Sequence, residues 1–152
     1  MRISNLGITI EAPVGFDVEI FSRPDETGRY SADAPAIVHA ANFWLPRERS
    51  DFGHEMVQNM RLMDVFLAVI EYGSDAAGKR LFAASGVPKI DSESLSQDAV
   101  MGPASGQTGT QHFFHVGDRA FSLYAVVGAH RLRSRSVPLL AALLDSLEVT
   151  PA

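Results

Sequence analysis

The stretch QHFFHVGDRAFSLYAVV, residues 111–127, constrains the fold of this chain more than any other. Gly117 and Asp118 form a two-residue loop of the kind antiparallel hairpins favour, and both flanking runs are rich in aromatic and β-branched residues. Successive side chains of a strand point to opposite faces, so residues three apart never share one. That decides an arrangement that at first sight resembles a metal site, His112 and His115 with Asp118 close behind. On a helix the two imidazoles would meet; on a strand they cannot hold one ion. No metal is expected here. Gln111, Phe113 and His115 face one way, and His112, Phe114 and Val116 face the other. One imidazole should pack against a covering helix with its ring hydrogen-bonded, the other being solvated or at the end of a cleft.

A hairpin needs a cover, and SVPLLAALLDSL supplies one. The spacing predicts a helix with Pro138 in its first turn and leucines at 139, 140, 143, 144 and 147. Burying such a stripe is worth about 1.5–3 kcal/mol per side chain, so this helix must dock on the sheet. Upstream, LGITIEAP and FDVEIF alternate apolar and polar residues and read as an antiparallel hairpin turned at Pro13 to Gly15. SRPDETGRYSADAP is an exposed loop, and AIVHAANFW is a strand stopped by Pro46, with His39 a satisfied core or boundary imidazole. Ser50 or Asp51 can cap a helix with Phe52, Met56, Val57, Met60 and Met63 on one stripe. DVFLAVIEY, nearly all apolar, suits a central strand covered on both faces. Ser74 and Asp75 open a short helix through AAGKRLFAAS that Gly86 and Pro88 close. Residues 89–109 carry no periodic signal, with Ile90 and Leu95 as anchors of a short element. The sum is an α+β fold in a single domain spanning 1–152: an antiparallel sheet of about six or seven strands with helices packed on both faces.

Composition narrows the function. A chain of 152 residues with 46% hydrophobic content is sized for one core. The formal charge of −5 argues against nucleic acid, whose phosphates are bound by cations. The sign is uneven: from Thr110 onward the balance is +1, which leaves −6 for the first 109 residues. With no cysteine, nothing depends on disulfides or thiolates. No apolar run approaches the ~20 residues of a membrane span, and MRISNLGITIEAP is not a secretory h-region, so a cytoplasmic location is expected unless a leader has been removed.

Motifs for catalysis fail one by one. HEMVQ, at His54, lacks the second histidine of a zinc-binding HExxH pair. No Gly-x-Ser-x-Gly elbow is present, and GPASGQTG lacks the Gly-Lys-Ser/Thr ending of a phosphate-binding loop. No catalytic residue and no cofactor are assigned. One arrangement is unusual: Arg131, Arg133 and Arg135 alternate, and in an extended link they would gather on one side just before the last helix. Together with free helix N–H groups they would hold an anion; the ordinary alternative is a solvated basic loop. Trp44, closing a strand, is either a contact aromatic at the sheet edge or a core-boundary residue, and the methionine stripe is either adaptable surface or core.

ITIEAPVGFDV, and GDRAFSLYAVVGAH leading to VPLLAALLDSLEV, are similar to the opening and closing segments of the α/β/α sandwich of PsbP, the photosystem II extrinsic protein, and of the yeast Ran-release factor. The resemblance covers most of the chain but is structural. Bacterial members are mostly secreted lipoproteins or adaptor-like chaperones, so it implies binding rather than catalysis and carries no site with it. This sequence shows neither their leader nor a lipidated cysteine, so a secreted location is not expected from it. Two expectations follow. The first is a small non-enzymatic binding or adaptor module for a protein or peptide partner, a second copy of the chain included, with Trp44 among its contacts. The alternative is a protein or enzyme for a small anionic ligand, using a cleft near His115, Tyr124 and the link from Arg131 to Arg135.

Overall fold

The computed structural model describes residues 1–100 and 106–151. It begins with a tight hairpin of β1 (Arg2–Asn5) and β2 (Ile8–Glu11). The turn between them puts both Leu6 (φ 54°) and Gly7 (φ 74°) in the left-handed region, as a two-residue hairpin loop requires. β3 (Asp17–Ser22) does not fold back on β2. It pairs instead with β4 (Ala36–Ala41), and the Pro13–Phe16 turn carries the chain from one sheet to another. The expected first hairpin is therefore replaced by one formed one strand earlier, through a turn that depends on a leucine with positive φ.

β4 pairs with β5 (Val65–Glu71), which runs through the centre of the larger sheet with Val65–Ile70 all buried, as an unbroken apolar run should. Between them, the expected methionine-striped helix shrinks to α1 (His54–Val57). Gly53 (φ 65°) precedes it, so close to the Phe66 ring that a Cβ there would lie 2.7 Å from Phe66 Cζ. Ser50 turns its N–H and hydroxyl to the Glu55 carboxylate. Met56 and Val57 are buried, with Phe52 and Met60 packed beside them, so these four cover the sheet without a continuing helix, while Met63 is exposed. A helix this short gains too few hydrogen bonds to offset its nucleation and exists only because of packing. The expected helix after Ser74 is likewise two isolated 3₁₀ turns, Ser74–Ala76 and Arg80–Phe82, interrupted at Gly78. Two more 3₁₀ turns, Ser92–Ser94 and Gln97–Ala99, punctuate the region without periodic signal, where Ile90 and Leu95 are buried. Residues 102–105 of GPASGQTG lie outside the described residues.

β6 (Thr108–Val116) and β7 (Arg119–Val127) form the expected hairpin, with Val116 paired to Arg119 across Gly117 and Asp118. α2 (Arg133–Ser146) follows, and β8 (Glu148–Val149) returns to pair with β2. The larger antiparallel sheet has strand order β3-β4-β5-β7-β6, and the smaller has β1-β2-β8. The fold is α+β, on two antiparallel sheets of five and three strands rather than one of six or seven. α2 and β2 cover one face of the five-stranded sheet, where Leu140, Leu143, Leu144 and Leu147 meet Leu67, Leu123 and Phe121. α2 starts at Arg133, so Pro138 falls in its second turn and deprives the Ser134 carbonyl of its helical donor. The opposite face, including Ile37, Phe66 and Tyr124, is covered by α1 and by irregular chain such as Leu45 and Val100.

Candidate functional site

β6 sends its two histidines to opposite faces, His112 paired with Leu123 and His115 with Ala120. His115 Nδ1 lies 2.6 Å from the Phe82 carbonyl, which can only accept, so Nδ1 is the donor. His112 Nε2 lies 2.9 Å from the Thr110 hydroxyl. Among the described residues no group of three or more His, Asp or Glu is placed to hold a metal ion.

The other residues of the anticipated cleft are not brought together. Tyr124 is fully buried at the middle of β7, edge-on to Phe52 at 6.0 Å between ring centroids. It stands four residues from the rung of His115, roughly 13 Å along the strand. The arginine link is helical, not extended: a 3₁₀ turn, His130–Leu132, runs directly into α2. Arg133 turns inward, donating to the carbonyls of Ser92 at 3.1 Å and His130 at 2.9 Å, while Arg131 and Arg135 are exposed on the opposite side. The N–H groups of Leu132 and Arg133 already donate to Ala129 and His130, which removes part of the donor set that an extended link would have left open.

Two buried ionic networks carry more of the structure than the sequence suggests. His39 is fully buried on β4, and Arg49 Nε donates to its Nδ1 at 2.7 Å, so the ring's own proton sits on Nε2, 2.7 Å from the Asp51 carbonyl. Desolvation lowers the His39 pKa to about 4, against the Asp51 carbonyl that favours the charged form. Arg49 also donates to Glu19 at 2.7 Å and to the Pro46 carbonyl, and its guanidinium lies over the Phe21 ring. At the other end of the sheet Arg119 grips Glu71 with two bonds of 2.8 and 2.9 Å and reaches the carbonyls of Leu6 at 3.0 Å and Thr150 at 3.1 Å. It joins the two sheets, and the Glu71 hydrogen bonds raise its pKa. Two clefts of about 430 and 400 Å³ flank Leu6, and these networks form part of their walls. Glu71 and Arg119 are engaged with each other and with backbone, and Arg49 with Glu19, His39 and the Pro46 carbonyl. Neither Arg49 nor Arg119 is marked by a motif in the sequence; the available signal is Glu71, a carboxylate ending an otherwise apolar strand.

What stands out on the surface is apolar. Trp44 is 86% exposed, and Val14, Leu62 and Met63 are exposed on loops at the same end of the five-stranded sheet, where β3 and β5 begin and β4 ends. Asn42 fixes that end by donating to the Met63 carbonyl and accepting from the Val65 N–H, while the Leu45 N–H donates to Asp17. Trp44 is thus held outward between two anchored residues rather than folded into the boundary.

The class these features define is an α+β domain on paired antiparallel sheets, with no helix among the described residues long and apolar enough to cross a membrane. Comparison with protein-family models, curated proteins and solved structures yields no match.

Proposed function

We propose that this chain is a non-enzymatic binding module that recognises a protein partner through the sheet end bearing Trp44. The observation that carries this reading is a large aromatic left 86% exposed on a backbone pinned at both sides, with exposed Leu62 and Met63 from the neighbouring loop. Tryptophan offers a large contact area with few rotatable bonds, and it is enriched among the residues that dominate protein interfaces. The resemblance to PsbP-like sandwiches, a family of binding proteins, points the same way and is itself part of the proposal. The test is co-purification from native lysate with wild-type and Trp44→Ser protein, alongside mass measurement in solution. A protein, or a second copy, retained by the wild type and lost by the variant supports the proposal. Equal retention by both, or no retained species and a monomer in each case, refutes it.

A further inference from the structure

We infer that the outer edge of β6 holds a short docking slot for an extended peptide segment, centred on Gln111–Phe113. In the β6–β7 ladder the register runs without a bulge from Thr108 opposite Val127 to Val116 opposite Arg119. Alternate residues of an antiparallel strand present both backbone groups to the same side. Gly109 exchanges hydrogen bonds with Ser96, and His115 accepts from Gly86 and donates to Ala84, all on the side away from β7. Gln111 and Phe113 share that outward parity. Their N–H and C=O groups have no backbone partner among the described residues, and Gln111 is exposed. The edge is therefore closed at both ends and open in the middle, over a window of roughly 20 Å between the two closures.

The closures select the occupant. A second β6 edge would bring its own Ser96 and Ala84–Gly86 segments onto the same line and collide with these, so edge-to-edge pairing of two copies is blocked. A single extended segment of about three paired residues fits between the closures, exchanging four backbone hydrogen bonds with Gln111 and Phe113 and bending away at either end. Beside Phe113, which packs edge-on to Phe82 at 5.7 Å between centroids, the segment meets an aromatic surface, so an apolar or aromatic side chain is favoured at that position. Gln111, next along the same face, favours a polar neighbour. This slot is independent of the Trp44 surface and does not rest on it.

The experiment uses the full chain carrying Trp44→Ser, so that the apolar end cannot capture the probe. Hydrogen exchange followed by NMR should show fast exchange at the Gln111 and Phe113 amides and protection at His112 and Phe114, whose N–H groups face β7. A random heptapeptide display library is then selected on this chain, with Gln111→Pro as counter-target. That substitution removes one outward N–H and no bond to β7, a position where an edge strand accepts proline. The expected result is peptides that bind the Gln111→Pro chain at least tenfold more weakly, lose binding when their backbone is N-methylated, and slow exchange at both open amides. Protection of Gln111 and Phe113 in the free chain equal to that of His112, no enrichment over the counter-target, or binding unchanged by N-methylation would each overturn the slot.

Discussion

The two faces of the five-stranded sheet are closed by different chemistry. On one, α2 and β2 lay Leu140, Leu143 and Leu144 over Leu67 and Leu123, with scarcely a polar atom between. On the other, a four-residue helix and irregular chain do the covering, and towards β3 the Arg49 guanidinium lies on His39 and the Phe21 ring. The attraction that holds the first face is non-directional and proportional to the apolar area buried. The second is held by hydrogen bonds whose partners must each be in place, because a buried polar group left unpaired costs more than the bond itself contributes. The leucine face should therefore respond to lost volume and the polar face to lost partners or added protons.

The largest effect is expected on the leucine face. Leu143→Ala removes a fully buried side chain and should cost about 2–5 kcal/mol, read from the midpoint of urea unfolding. A loss below 1 kcal/mol would mean that α2 is not the main seal.

On the polar face the next effect is set by pH. With the His39 pKa lowered to about 4 in the fold, the unfolded chain takes up the proton first as pH falls below ~6.5. Stability from this group is thus full above pH ~6.5, is lost progressively as pH falls towards 4, and then levels off; the loss reaches about 2 kcal/mol by pH 5. Denaturation at pH 7 and pH 5 should show that slope in the wild type and a shallower one in His39→Gln. Parallel slopes would assign the acid sensitivity elsewhere.

Arg49→Ala should cost roughly 1–3 kcal/mol, by stranding the buried His39 Nδ1 and freeing the half-exposed Glu19. Its measurement pairs with the pH series, because loss of the arginine also removes a cation that opposes His39 protonation. The His39 transition should move upward in pH in this variant, and an unmoved transition would contradict the network. The smallest effect belongs outside both faces: Trp44→Ser should change thermal stability by less than about 0.5 kcal/mol, as for an exposed side chain with no structural role. A larger loss would make Trp44 a packing residue and remove the basis of the binding surface.

The same contrast explains what the sequence made legible. The β6–β7 hairpin, the central strand and the leucine helix each carry their signal locally, as a turn dipeptide, an apolar run or a helical period, and each is found, although the helix begins at Arg133, three residues ahead of the expected start at Ser136. The small sheet was hidden because its first turn is built on Leu6, a residue with no turn propensity, held there by Asn5 and Gly7 and by Arg119 from far along the chain. The methionine stripe was correctly apolar and wrongly helical over most of its length, because burial sets the spacing while Gly53, in left-handed backbone, keeps the helix from starting before His54. Of the candidate site, the opposed histidines followed from strand geometry alone. Tyr124 could not be separated from a cleft residue until β7 was known to lie inside the sheet with both neighbours in place. Trp44 at a strand end reads more readily as core boundary, and its 86% exposure beside the backbone anchors at Asn42 and Leu45 puts it at the surface instead.

The guanidinium at position 119 also sets a schedule. Its acceptors at Leu6 and Thr150 stand at separations of 113 and 31 residues, and its carboxylate at Glu71 stands 48 away. A nascent chain released one residue at a time cannot complete that set until residue 150 has been made, whatever has already collapsed behind it. Assembly of the small sheet is therefore a late event, of the slow kind that pairings between distant segments impose.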